Sequence, residues 1–160
     1  MTVPAGAETV TGCHCFRQRS YDPKAKFIAD DYILATSFNS LTANLFGISK
    51  KQIIMLKMRG GVHQNDLLIA LKLGHDFGID HQQLLDLRKQ DCSWQEIMAQ
   101  SKTLSEIKDN PLLTMIKSGK PVNDLGQKVA DSMIADFYDV PEKEIEKLKL
   151  LGFNEKEMAL

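Results

Sequence analysis

A helical unit repeats along this chain, and the repetition limits the folds that the sequence can adopt. Three stretches share an apolar residue, a polar start and apolar positions four and seven or eight residues later: LFGISKKQIIMLKMRGG, DFGIDHQQLLDLRKQDC and FYDVPEKEIEKLKLLGF. With a divergent fourth copy, the anchors Ile48, Ile79, Ile107 and Val140 are spaced by 31, 28 and 33 residues. Because one such unit cannot bury its apolar face alone, we expect neighbouring units to stack around a continuous core.

Capping signals predict where the helices of each unit begin and end. The spacing of a capping box, in which the first side chain accepts a backbone N–H and the fourth reaches back, occurs at Ser49–Gln52, Ser93–Glu96 and Asn154–Glu157. Pro111 and Pro141 suit first helical turns. Glycines stand where helices must end, at Gly47, Gly78, Gly119 and Gly152. Each unit is therefore predicted to be a long helix, a tight turn and a short helix.

These units predict an all-α fold, with tandem helix-turn-helix units packed as a compact bundle or a short superhelix. A first helix from about Lys24 to Phe46 has apolar residues at roughly helical spacing. The length of 160 residues, with 43% hydrophobic and 26% charged residues, is typical of one globular domain. We expect a single helical-repeat domain over residues 24–160, after an extended segment over residues 1–23.

The N-terminal segment contains processing signals. Ala5–Gly6–Ala7 has the small-x-small pattern that a signal peptidase cleaves, without the basic and long apolar regions that should precede it. We interpret residues 1–23 as a truncated export signal, which predicts a periplasmic or secreted bacterial protein. A lipobox ending at Cys13 and a flexible tail are the alternatives. No stretch approaches 18 consecutive apolar residues, so no membrane span is expected.

The three cysteines, Cys13, Cys15 and Cys92, are candidates for a disulfide. A Cys13–Cys15 bond would close a small strained ring, whereas either residue could bridge to Cys92 at ordinary geometry. We expect one structural disulfide that engages Cys13 or Cys15 in an oxidising compartment. Free thiols are the second interpretation, and a zinc or copper site completed with His14 is the third. No bound metal and no cofactor are expected.

The segment LLDLRKQDCSWQEIMAQ resembles the helix-turn-helix of DNA-binding proteins. In that resemblance Arg88 and Lys89 would contact phosphate, and Trp94 and Gln95 would open the recognition helix. Attraction between basic side chains and phosphate supplies most non-specific affinity for DNA. This chain has a net charge of −1, and the units that follow the segment are acidic. We therefore expect no nucleic-acid partner and keep DNA binding as an alternative.

Catalysis is not supported by the sequence. Adjacent helix residues such as Asp30 and Asp31 point about 100° apart, so they do not easily share one site. No Gly-rich phosphate loop follows a strand, because no strand pattern is present. We expect a protein without enzymatic activity.

A cluster of basic residues is the best candidate for a partner-binding face. Residues 47–79 contain five basic and two acidic side chains. The cluster within this segment consists of Lys50, Lys51, Lys57 and Arg59. We predict that it binds a protein or peptide; the oligomeric state is left open.

The long first helix, the Phe-Gly-Ile turn, LLDLRKQDCSW and the return helix, together with CHCFRQRSYDP, resemble uncharacterised exported bacterial helical proteins. The resemblance covers most of residues 13–100. It implies an all-α fold and placement outside the cytoplasm, and it carries over no activity and no site residue.

Overall fold

The computed structural model describes residues 31–160, and within this range every regular element is an α-helix. The ten helices are α1 (Asp31–Phe46), α2 (Lys50–Met58), α3 (Gln64–Phe77), α4 (His81–Lys89), α5 (Trp94–Gln100), α6 (Lys102–Glu106), α7 (Pro111–Lys117), α8 (Val122–Tyr138), α9 (Glu142–Leu150) and α10 (Glu155–Met158). The predicted all-α fold is confirmed. No helix within residues 31–160 combines the length and the apolar character that crossing a bilayer requires.

The described residues form two compact units. The terminal unit comprises residues 31–61 and 133–160, and the central unit comprises residues 62–132. In the terminal unit, α1 packs against α2 and α10. Its core includes Phe38 and Leu41 of α1, Ile53 of α2 and Ile145 of α9, all of which are buried. The single domain expected over residues 24–160 stays a prediction.

The central unit is built around α3, which packs against α4. The run from Leu67 to Leu71 is buried without interruption, so α3 is covered on nearly all sides rather than along one stripe. The helix α5 packs against α4, α6 and α7. Trp94 and Ile97 are the buried side chains by which α5 joins this core.

The predicted capping boxes are present, whereas Pro141 precedes α9 as its N-cap residue instead of lying in its first turn. All three capping boxes form, with Ser49, Ser93 and Asn154 as the N-caps. Asp80 caps α4 through its carboxylate, and Asn110 caps α7 with Pro111 at the first helical position. Left-handed backbone conformations follow or precede the helices at Gly47, Gly78, Gly119 and Gly152, where a residue without a Cβ adopts a positive φ at little cost.

The predicted alternation of long and short helices is wrong in two units. The helix α2 has 9 residues and the following α3 has 14, while α7 has 7 residues and α8 has 17. In α3 the residues from Leu67 to Leu71, together with Leu73, are buried, and the helix continues to Phe77 with Gly78 as its C-cap. The first helix ends at Phe46 as predicted, whereas its predicted start at Lys24 lies outside the described residues.

Candidate functional site

Three of the four basic residues predicted as a partner face lie at the surface of α2. Ile53 is fully buried and fixes the orientation of this nine-residue helix. Lys51 and Arg59 are exposed, and Lys50 is half-buried at the first helical position. The role of these three residues in partner binding stays a prediction.

Methionine side chains share this face of α2 with the basic residues. Lys51, Met55 and Met58 are spaced by four and three residues, so they follow one another along one side of the helix. Met58 is 46% exposed and Met55 is half-buried. We call the surface formed by Lys50, Lys51, Met55, Met58 and Arg59 the α2 face. The apolar part of this face was not predicted from the sequence, although the spacing of Met55 and Met58 was a usable signal.

Lys57, the fourth predicted residue, points into the terminal unit instead. Its Nζ atom donates to Oδ1 of Asn39 across 2.8 Å, and Asn39 is only 1% exposed. Burial, reinforced by the positive charge of Lys156, lowers the pKa of Lys57 from 10.5 to about 8. A lysine in this position attaches α2 to α1 and is separate from the α2 face.

Asn39 is a polar residue in the buried stripe of α1, between Phe38 and Leu41. Its Oδ1 atom accepts from Lys57, while its Nδ2 atom is buried without a hydrogen-bond partner. Asn39 was not among the residues predicted from the sequence. Asn39 could have been recognised in the sequence as an amide side chain among apolar positions of a helix, since a buried amide needs a hydrogen-bond partner inside the protein.

A second polar cluster lies in the central unit, around Asp66 of α3. Its Oδ1 atom accepts from Nε of Arg88 and from Nε1 of Trp94, each across 2.8 Å. The Nη1 atom of Arg88 also donates to the backbone carbonyl of Cys92 across 2.6 Å. The guanidinium carbon lies 5.6 Å from the centroid of the Trp94 ring, within the range of a cation–π contact.

This cluster uses two of the residues that a DNA-binding helix-turn-helix would present to its ligand. Trp94 is 3% exposed, and Arg88 is bonded to Asp66, so neither side chain is presented for base or phosphate contact. Lys89 is exposed and paired with Asp86, and Gln95 donates to the Lys117 carbonyl. The resemblance to a DNA-binding motif therefore corresponds here to contacts inside the protein.

Of the disulfide and metal-site candidates, only Cys92 lies among the described residues. Cys92 is a half-buried free thiol, and Cys13, His14 and Cys15 lie outside the described residues, so the disulfide stays a prediction. His63 caps α3 by accepting the Asn65 N–H at its Nδ1 atom. Within residues 31–160, no group of three or more His, Cys, Asp or Glu side chains is arranged to hold a metal ion.

Several large apolar side chains of the terminal unit are exposed to solvent. They are Ile33, Met58, Phe137, Tyr138, Leu150, Leu151 and Leu160. Leu150 is the extreme case at 88% exposure. No comparable side chain of the central unit is exposed, so within the described residues the apolar surface is concentrated in the terminal unit.

Comparisons with known proteins do not add to this geometry. A scan against protein-family models, a search of curated proteins and a search of solved structures each gave no match.

Proposed function

We propose that this chain is a non-enzymatic helical protein that binds a protein partner through the α2 face. The partner segment we propose is an acidic amphipathic helix. One observation carries the proposal: Lys51, Met55 and Met58 line one side of α2, with Lys50 and Arg59 at its two ends. Residues 45–65 contain no Asp or Glu, so this positive charge has no acidic neighbour along the chain.

The chemistry of the α2 face selects the partner. Methionine side chains are flexible and polarizable, which suits them to packing against the apolar stripe of a helix. Basic side chains at both ends of the stripe would pair with Asp or Glu that flank the apolar stripe of the partner. The exposed apolar residues elsewhere in the terminal unit support a role in protein association, since such surface is often an interaction site.

We also propose that the protein acts in the periplasm or outside the cell. The support is the Ala5–Gly6–Ala7 pattern in the N-terminal segment. Fractionation of the native bacterial cells, with an antibody against the protein, tests this point. Recovery with cytoplasmic markers alone would contradict export without affecting the proposal for the α2 face.

A peptide-display selection tests the binding proposal. Random 16-residue peptides are selected on the immobilised protein and then measured against the variant Lys50→Glu/Lys51→Glu/Arg59→Glu. We expect the selected peptides to be rich in Asp and Glu, with apolar residues three and four positions apart, and to bind this variant at least about tenfold more weakly.

The matched control reverses three exposed lysines of the central unit, in the variant Lys102→Glu/Lys108→Glu/Lys117→Glu. It changes the net charge equally, so it separates a local effect from a general one. Selected peptides without acidic residues, or equal loss of binding in both variants, would contradict the proposal. Circular dichroism spectra of both variants establish that the helices are retained.

A further inference from the structure

A cluster of hydrogen-bond donors lies in the terminal unit, where α1 packs against α2 and α10. Its members are the amine of Lys57, the side-chain amide of Asn39 and the ammonium of Lys156. Lys57 donates to Oδ1 of Asn39 across 2.8 Å, and the charge of Lys156 is close enough to lower the pKa of Lys57. Two basic groups and a buried amide therefore share one poorly solvated position.

The unsatisfied atom of the cluster is Nδ2 of Asn39, which is buried and, within residues 31–160, has no hydrogen-bond partner. A lysine ammonium can only donate, so the amide atom that faces Lys57 must be the oxygen, and Nδ2 cannot exchange places with it. A buried donor without an acceptor is unfavourable. The cluster therefore lacks an acceptor, and its positive charge favours a negatively charged one.

The Lys57 amine is a suitable nucleophile. Burial lowers its pKa to about 8, so at pH 7.5 about a quarter of the molecules hold this amine uncharged and nucleophilic. Of the two side chains, Lys57 is the one in contact with solvent, because it is half-buried whereas Asn39 is 1% exposed. A small electrophile would therefore attach to the amine, and its atoms would lie next to the amide.

We propose that Lys57 forms a carbamate with dissolved carbon dioxide. The uncharged amine forms an N–C bond to the carbon, the electron pair of one C–O π bond moves to its oxygen, and a proton leaves the nitrogen for solvent. The product, –NH–COO⁻, keeps one N–H, which still donates to Oδ1 of Asn39. The carbamate oxygen on the same side as this N–H accepts from Nδ2 of the same amide, which closes a cyclic pair of hydrogen bonds.

The carbamate fits this cluster better than an acyl group does. The N–H and the oxygen of an acylated lysine point to opposite sides of a trans amide, so they cannot pair with one side-chain amide in this way. An acyl group also adds no charge, whereas the carbamate turns the repulsion between Lys57 and Lys156 into an attraction. The proposal is independent of the α2 face, from which Lys57 is separate.

Carbon-13 NMR measures the carbamate directly, in sealed samples at pH 7.5 that contain carbon-13 bicarbonate. Triglycine is added to each sample as the reference, since its α-amine has an ordinary pKa of about 8 and lacks the cluster. We expect Lys57 to be half-converted at a carbon dioxide concentration at least about tenfold lower than triglycine, because only the protein supplies the Asn39 donor and the Lys156 charge.

Variants assign the signal to the cluster. Lys57→Met should remove it, and Lys143→Gln, at an exposed position of α9, should leave it unchanged. Asn39→Leu removes the donor without adding a charge, and it should bring the half-conversion point of Lys57 to that of triglycine or above. Lys156→Gln should raise this point at least about threefold, because it removes the positive charge next to the carbamate.

Urea unfolding under carbon dioxide and under nitrogen, at equal pH and ionic strength, gives a second measurement. Carbamate formation in the folded protein should raise the unfolding midpoint of the natural sequence and not that of Lys57→Met. The proposal is overturned if Lys57 forms no carbamate where triglycine is half-converted. It is also overturned if Asn39→Leu forms the carbamate as readily as the natural sequence, or if the signal keeps its full strength in Lys57→Met.

Discussion

The indole N–H of Trp94 donates to Oδ1 of Asp66 across 2.8 Å, and thereby joins the first turn of α5 to the first turn of α3. Arg88 at the end of α4 donates to the same oxygen. Three helices of the central unit therefore meet at one carboxylate. Because all three side chains are at least half-buried, removing the carboxylate leaves the Trp94 N–H without its acceptor and the Arg88 guanidinium with only the Cys92 carbonyl, in a poorly solvated position.

Asp66→Ala is expected to destabilise the protein by about 2–4 kcal/mol, because it leaves the Arg88 charge and the Trp94 N–H without their acceptor. Urea unfolding followed by circular dichroism measures the loss. Asp66→Asn is the matched control, since its amide oxygen still accepts from Trp94, and it should cost less than half as much. Equal unfolding free energies for Asp66→Ala and the natural sequence would show that the cluster does not stabilise the central unit.

Lys57 is expected to make stability rise with pH between about 8 and 10.5. Its pKa is about 8 in the folded protein and 10.5 when exposed, so the unfolded chain binds more protons in this window. Unfolding therefore becomes less favourable as pH increases, by about 2–3 kcal/mol across the window. Below pH 8 both states bind the proton, and this contribution no longer changes.

The variant Lys57→Met isolates that contribution, because the other lysines titrate alike in both proteins. Urea unfolding at pH 7.5, 9 and 10.5 should show a smaller rise for the variant than for the natural sequence. Parallel curves for the two proteins would mean that the Lys57 amine is as well solvated as a surface lysine.

Gly126→Ala is expected to destabilise the protein, although alanine is the better helix former by about 1 kcal/mol. A Cβ at this position of α8 would lie 2.6 Å from Cβ of Asn65 and 2.5 Å from its Cγ. Relieving these overlaps requires α3 and α8 to move apart, so we expect a net cost of about 1–3 kcal/mol in thermal unfolding. An increase in melting temperature would contradict the close approach at Asn65.

The capping box of α5 is expected to lower the pKa of Glu96 below its ordinary value of 4.5. The cause is hydrogen bonding of its carboxylate by the backbone N–H of Ser93 and then by the Ser93 hydroxyl. Carboxyl NMR titration should show this pKa moving upward in Ser93→Ala, which keeps the N–H but lacks the hydroxyl. Ser105→Ala, in α6, is the control. A pKa unaffected by Ser93→Ala would indicate that the hydroxyl does not contribute.

The local features of the fold could be predicted from the sequence, because they depend on neighbouring residues. The capping boxes at Ser49, Ser93 and Asn154 and the end of α1 at Phe46 are set within one or two helical turns. The lengths of α3 and α8 were not predictable in this way, since they depend on burial by other helices. Helical periodicity identifies an apolar face and does not identify what covers it.

In the candidate site, too, the features set by neighbouring residues could be predicted, and those set by distant residues could not. The surface positions of Lys51 and Arg59 follow from their place on a short helix whose buried residue is Ile53. The inward position of Lys57 depends on Asn39, which lies 18 residues earlier, and the position of Arg88 depends on Asp66, which lies 22 residues earlier. No pattern in a single sequence links side chains across such distances.

Binding of an acidic helix to the α2 face, through charge and apolar contact, can be tested by a charge exchange between protein and peptide. The best peptide from the display selection is synthesised with Glu and with Lys at its acidic positions. Each peptide is titrated calorimetrically into the natural protein and into Lys50→Glu/Lys51→Glu/Arg59→Glu. We expect the acidic peptide to bind the natural protein at least about tenfold more tightly than the variant, and the basic peptide to reverse this order. Binding of the acidic peptide with equal affinity to both proteins, at low salt, would contradict it.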